Sequence, residues 1–412
     1  MATRERKWTS ICHDVRHGEP QTFALDPMMD DVQTGFQIRD AARPAVVDPE
    51  LRRPDWTSGA PRDPRLLWLD KNENTDPELA AVTSRLVADV LAGAGSRWLS
   101  TYPDSAPLYR KMAVHVGCTA RQLMLAAGSD GVIRAVFEAF VSPGDTIIHT
   151  FPTFAMYPVY AAMYGAKVIR LGYTRTGAGP ALSPDEVVAA ILQARPKLVC
   201  LPNPDSPTGT VFAPDQLRRI VDTCASVGAV MLVDEAYHPF YQQTAADWTA
   251  TLPHLIVART FAKAWGLAGL RIGYAIAHEE TAALLHKVRP MYEANTVAVA
   301  VIERMLDHVG EMTASVARLN AGRDGFLDAM EALALPTVRA KGNFLHVSFG
   351  SFEADVYRAL APVVLYRRDG GDECLGGYSR FSATTPALFA PLIERISHVI
   401  SAATSGAGSM SV

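Results

Sequence analysis

One lysine stands in a setting unlike the other seven. The chain has eight lysines, and Lys263 alone follows a short apolar run and enters a Gly-rich turn, in T-F-A-K-A-W-G-L-A-G-L-R-I-G-Y (260–274). Apolar and small neighbours desolvate an amine, lower its pKa and favour nucleophilic or Schiff-base use. Asp234 ends the apolar run 230–233 and begins D-E-A-Y (234–237), where a carboxylate is costly unless something positive answers it. Gly128-Ser129-Asp130-Gly131 opens an apolar helical stretch. The free N–H groups and positive dipole end of such a turn suit a phosphate, and Ser and Asp are equally ordinary N-caps. Asn203 begins a Pro-interrupted turn, N-P-D-S-P-T-G (203–209), where asparagine in isolation is a loop residue.

These residues fall at the ends of short apolar runs. Strands are expected at 123–127, 146–150, 167–171, 198–202, 230–234, 255–258 and 272–277, with helical spacing between them, as at 185–194 and 214–226. Strands alternating with helices of this length mean β-α-β crossovers and a mainly parallel sheet covered by helices, an α/β fold. In open sheets of this kind the site lies outside the carboxyl ends of the strands, where the residues above sit. A long helical stretch at 279–308 leads into a different C-terminal pattern. Strands are expected there at 343–349, 363–366 and 378–383, and helices at 324–333, 353–359 and 386–402, forming a smaller α+β domain. Residues 1–65, rich in Pro, Asp and Arg, read as an irregular N-terminal extension, and the Gly/Ser-rich tail 405–412 as frayed. The organisation expected is a large domain over 105–304, with 66–104 and 305–412 forming the small one.

Composition limits the partners. Of 412 residues, 49% are hydrophobic and 20% charged, which is ordinary globular usage. The net charge of −4 offers no basic excess for a phosphate backbone or an anionic membrane, so neither nucleic acid nor membrane is expected as partner. Five scattered cysteines without a C-x-x-C pair fit reduced thiols, and the charged first twenty residues lack a signal-peptide core, which together suggest a cytoplasmic protein. The eleven histidines show no metal-ligand spacing, so no metal is expected.

Taken together the motifs resemble the fold-type I pyridoxal-phosphate (PLP) enzymes, and most closely the histidinol-phosphate aminotransferase-like branch of the aspartate aminotransferase superfamily. The resemblance covers roughly 66 to 400. It rests on L-D-K-N-E-N (69–74), Y-P-D (102–104), G-S-D-G (128–131), P-T-F-A-M-Y (152–157), N-P-D-S-P-T-G, D-E-A-Y, the Lys263 segment and Y-S-R-F-S (378–382), in order and at compatible spacings. It implies a large PLP-binding domain and an aminotransferase acting on an amino acid or related amine. Lys263 would be the Schiff-base lysine and proton shuttle, and Asp234 the partner of the pyridinium nitrogen. Asn203 and Tyr237 would bond the ring's 3-oxygen, and Phe154 would stack on the ring where the family usually has Tyr. Ser129, Asp130, Thr260 and Arg271 would hold the phosphate. Tyr102 would reach the phosphate of the neighbouring subunit's cofactor in a homodimer, and Arg380 would clamp the substrate carboxylate.

Three departures accompany the resemblance. Ala262 stands where the family usually has Ser, Gly131 where it usually has an acid, and R-F-S-A-T-T-P where plain aminotransferases read R-I-x-x-G. They leave room for another outcome on the same fold: decarboxylation, elimination or replacement, or an oxidase reaction. A non-catalytic PLP-binding module of a transcription regulator is disfavoured, because 1–65 lack the helical period and basic charge of a DNA-binding unit. His238 reads as a histidine at the pocket edge. Arg52-Arg53 and Arg367-Arg368 read as surface pairs, the second within reach of an anionic substrate.

Overall fold

A computed structural model describes residues 38–49, 51, 61–368, 371 and 374–408. Its centre is a seven-stranded sheet of β1 (Leu123–Ala126), β2 (Thr146–Phe151), β3 (Lys167–Gly172), β4 (Leu198–Pro202), β5 (Val230–Asp234), β6 (Leu255–Thr260) and β7 (Gly273–Ala277), in the order β1-β7-β6-β5-β4-β2-β3. The pairs β3–β2, β2–β4, β4–β5 and β5–β6 are parallel. The strands β1, β4, β6 and β7 are buried throughout, and β5 from Met231 onward, because helices cover both faces. One face packs Leu125, Val199, Met231, Val233 and Val257, and the other Met124, Cys200, Leu232, Ile256 and Ala258, the alternation of a pleated strand buried on both sides.

β7 runs antiparallel to both its neighbours, with Gly273 opposite Thr260 on β6 and Ala126 on β1. The cause is the linker. Residues 261–272 carry only the short turn Ala268–Leu270, without the helix that a parallel crossover needs. The reversal brings Lys263 and Arg271 to one end of the sheet, beside the helix Gly128–Phe140. Gly273 is required there, since a Cβ on it would lie 2.5 Å from the backbone of Gly128 and Ser129.

A three-stranded antiparallel sheet pairs Thr337–Val338, Phe344–Val347 and Ser379–Ser382, and backs onto an aromatic core in which Tyr366 stacks on Phe381 at 4.3 Å. Leu67–Trp68 pairs in parallel with Val364–Leu365.

Several sequence expectations change. The helical stretch 279–308 is two helices, Glu279–Val288 and Thr296–Met305: Pro290 cannot continue the first, and the Asn295 side chain caps the second by accepting from Ala298 N–H. The helix expected from 324 begins at Val309 and runs to Ala332, and at Gly322 it lies against the backbone of Thr384. Within the extension read as irregular, Ile38–Ala41 and Pro44–Val47 form single helical turns. The last helix continues to Gly408, past the start of the tail read as frayed, and Arg52 and Arg53 lie outside the described residues.

Candidate active site

The carboxyl ends of β4, β5 and β6 meet the start of the Gly128–Phe140 helix, and there the sequence-predicted residues converge. Asp234 closes β5 fully buried. Its Oδ1 accepts from Ala236 N–H at 3.0 Å and its Oδ2 from the Tyr157 hydroxyl at 3.2 Å. Burial pushes its carboxyl up to about 6, against the pull of those two hydrogen bonds. Among the described residues no lysine or arginine forms an ion pair with it. Asn203 follows β4 and is tied to Asp234 by its backbone N–H donating to the Asp234 carbonyl at 2.9 Å. Its Oδ1 accepts from Phe212 N–H at 2.8 Å, which leaves its amide NH2 as the group to offer.

Lys263 follows β6. Its Nζ donates to the Lys71 carbonyl at 3.0 Å. Burial first, then the Arg380 charge, lower its pKa to about 8, so near neutral pH a proton moves on and off this amine with little cost. Tyr237 is buried; its hydroxyl accepts from Asn72 Nδ2 at 2.9 Å and donates to Ser206 at 3.3 Å. Phe154 lies edge-on to Tyr157, with centroids 6.2 Å apart.

The helix Gly128–Phe140 opens with Gly128 at φ 80° and carries Ser129 and Asp130 in its first turn. A Cβ on Gly128 would come within 3.0 Å of Arg271 Nη2, so the Arg271 guanidinium lies over the helix start. Arg271 itself is left-handed, at φ 53°. Asp130 accepts from the Tyr160 hydroxyl at 3.0 Å. Thr260, at the end of β6, accepts from Ala262 N–H at 3.1 Å. The Arg271 guanidinium thus lies at a helix N-terminus whose first turn carries Ser129, with Thr260 opposite Gly273 on the neighbouring strand.

Arg380 is on Ser379–Ser382, facing the same space from the three-stranded sheet. Its Nη2 donates to the Asp70 carbonyl at 3.1 Å, its guanidinium sits 5.8 Å over Phe344, and its buried Nε has no protein partner. Arg367 Nε donates to the same Asp70 carbonyl at 2.9 Å, whereas Arg368 pairs outward with Glu353. Tyr102 is not gathered with the rest: it is 76% exposed and stacks on Tyr292 at 4.2 Å. His238 is half-buried, and burial followed by the Arg259 charge drives it down to about 3, so it is a neutral edge residue.

Sequence reasoning named L-D-K-N-E-N without assigning it work. The segment forms the rim of the site. Asn72 adopts φ 54°, which asparagine tolerates better than most residues, and its N–H donates to Ser382 while Asn343 donates to its carbonyl. Glu73 is held below the usual carboxylate range chiefly by Arg62, which bonds both Asp70 and Glu73 at 3.1 and 2.7 Å and lies 4.1 Å over Trp68. Asp205 was also missed. It is fully buried and accepts from the Thr150 and Thr208 hydroxyls at 2.8 and 3.0 Å, and burial pushes it up to about 7.

The chain is similar to known proteins over most of its length. Residues 64–396 match the family model for aminotransferase class I and II. A histidinol-phosphate aminotransferase of Roseiflexus castenholzii is 33% identical over 76% of this chain and 84% of its own length. One from Thermobifida fusca is 32% identical over 90% of this chain and 98% of its own. The crystal structure of histidinol-phosphate aminotransferase from Sinorhizobium meliloti in complex with pyridoxal-5'-phosphate superposes with a TM-score of 0.68 at 20% identity, over 82% of this chain and 91% of that one, which shows the shared fold. The chain belongs to the class I and II aminotransferases.

Proposed function

We propose that the chain transfers the amino group of an amino acid or related amine, with the residues gathered at the strand ends in the roles their types suggest. The cofactor is pyridoxal 5'-phosphate. When bound, it supplies an electron-withdrawing ring that stabilises the charge left as a proton leaves the substrate's α-carbon. The observation that carries the reading is the juxtaposition of an amine tuned to about 8 with a buried carboxylate that no cation among the described residues pairs with, at the ends of neighbouring strands. A pyridinium N–H is the cationic donor such a carboxylate suits.

Lys263 holds the cofactor and moves the proton between the substrate's α-carbon and the cofactor's C4′. Asp234 keeps the ring nitrogen protonated. Asn203, with only its NH2 to offer, donates to the ring's 3-oxygen, and Tyr237, polarised by Asn72, turns its one hydroxyl proton from Ser206 to the same oxygen. Phe154 covers one ring face. The Ser129 hydroxyl, the first-turn amides of 129 and 130, Thr260 and Arg271 take the phosphate. Arg380 holds the substrate's anionic group as a planar fork.

The finer substrate reading is an amine carrying a phosphate or carboxylate, with histidinol phosphate, the substrate named for the curated relatives, the first to test. The active unit is a homodimer in which Tyr102 crosses to the partner's phosphate; the exposed cluster of Leu99, Tyr102, Met291 and Tyr292 suits a covered face. The domain division drawn from the sequence, 66–104 with 305–412 beside 105–304, belongs to the same reading. Among the described residues Cys118, Cys200 and Cys224 are free thiols, which suits a cytoplasmic setting. The test is to mix the yellow holoenzyme with histidinol phosphate and with a panel of amino acids. Conversion of the visible band to that of the pyridoxamine form, with a carbonyl product, is expected. A product that keeps its amino group overturns the reading in favour of elimination, replacement or decarboxylation.

A further inference from the structure

The helix that opens the phosphate cradle is not capped by its own sequence. Its N-cap is Ala127, which has no polar side chain. In a capping box the side chain three residues on would take the N-cap N–H. That residue is Asp130, and it accepts from Tyr160. The Ala127 N–H donates instead to Glu293 Oε1 at 3.0 Å, 166 residues along the chain. A Cβ on Gly131 would meet the Ala126 Cβ at 3.0 Å and this same oxygen at 3.1 Å, so Glu293 stands beside the space that Gly131 leaves open. Glu293 belongs to residues 289–295, the break between the helices Glu279–Val288 and Thr296–Met305. Its neighbour Tyr292, left-handed at φ 53°, stacks on Tyr102 with planes 13° apart.

We propose that Glu293 is a positioning residue of the phosphate cradle: it caps the Gly128–Phe140 helix from outside, in the space that glycine at 131 opens, and so pins residues 289–295, with the Tyr292–Tyr102 stack, against the cradle. The proposal rests on the cofactor reading above. It differs in sign from a simple charge effect. A carboxylate beside a helix N-terminus competes with a phosphate for the same positive end, so if Glu293 acted only as a charge its removal would tighten phosphate binding. As a strut, its removal loosens it.

The experiment measures dissociation constants of the chain stripped of cofactor for pyridoxal 5'-phosphate and for pyridoxal, by equilibrium dialysis, with circular dichroism to establish folding. Glu293→Ala raises the constant for pyridoxal 5'-phosphate about five- to tenfold, the scale of a lost cap, and leaves that for pyridoxal unchanged. Glu293→Gln keeps the acceptor and stays within about twofold of wild type. Gly131→Ala sets a methyl 3.1 Å from Glu293 Oε1 and 3.0 Å from the Ala126 Cβ, and weakens pyridoxal 5'-phosphate in the same direction. Equal or tighter binding in Glu293→Ala, or an equal loss for pyridoxal, overturns the proposal. A wild type that holds pyridoxal as tightly as pyridoxal 5'-phosphate overturns the cofactor reading itself.

Discussion

The site has a floor and a rim, and they are built differently. The floor, at the ends of β4, β5 and β6, fixes Asp234 and Asn203 through backbone hydrogen bonds between adjacent strands, and both oxygens of Asp234 have donors. The rim joins residues 70–74 to the three-stranded sheet across as many as 310 positions of sequence, through Asn72 and Ser382. Its buried atoms include several without a protein partner: Arg380 Nε, both ring nitrogens of His346 and the Oδ1 atoms of Asn72 and Asn343. Rigid, satisfied geometry suits a group that stays through every turnover; hydrogen-bonding capacity held in reserve suits one that comes and goes. Substitutions in the two regions should therefore fail differently.

The largest effect is expected on the floor. Lys263→Ala removes the proton carrier at the α-carbon, and the rate of amino transfer should fall by at least about a thousandfold. Borohydride reduction followed by peptide mapping should place a pyridoxyl group on Lys263 in the wild type; a tag on another lysine contradicts the assignment. On the rim, Arg380→Lys keeps the charge and loses the fork. Cofactor binding should be unchanged while the productive amine weakens by about 2–4 kcal/mol in kcat/KM, the scale of a broken buried charge pair. A variant that loses the cofactor instead would erase the distinction between floor and rim.

A third test lies beneath the floor, at Asp205. Burial holds its carboxyl up to about 7, whereas an unfolded aspartate titrates near ~4. Between these values the folded chain keeps a proton that the unfolded chain has released, so stability falls as pH rises from about 4 to about 7 and is level above. Asp234, raised to about 6, acts with the same sign. In the chain stripped of cofactor, Asp205→Asn should show a shallower fall across this window than wild type, read from urea midpoints at several pH values. An equally steep fall would mean that the Thr150 and Thr208 hydroxyls hold a charged carboxylate after all.

The same contrast explains what was legible. The residues of the floor each end a short apolar run and begin a turn, a pattern a strand imposes on the residues next to it, and Lys263, Asp234, Asn203, Thr260 and the 128–131 turn stand where the strand ends were read. The reversal of β7 was missed although its cause, a twelve-residue linker without a helix, lies in the sequence. The rim was out of reach. Nothing local says that Asn72 meets Tyr237 or that Glu293 stands beside Gly131, since each pairing depends on how distant segments pack. The break at 289–295 did have local signals in Pro290 and Asn295.

The smallest effect is expected at Asn72, and it separates two ways a rim residue can matter. Asn72→Ala loses the donor to the Tyr237 hydroxyl and places a Cβ residue without a compensating side chain at φ 54°. The left-handed backbone costs roughly 1–2 kcal/mol for an ordinary L-residue, and the lost hydrogen bond about 1 kcal/mol. Asn72→Gly relieves the first cost and keeps the second. If the rim works by shape, the glycine variant should recover most of the stability and most of kcat. If it works by polarising Tyr237 toward the ring oxygen, the glycine variant should recover stability in urea while kcat stays several-fold low, and Tyr237→Phe should add little to that loss because both changes remove one chain of donors. The second outcome is expected, since the Asn72 side chain reaches Tyr237 while its backbone is held independently by Ser382 and Asn343.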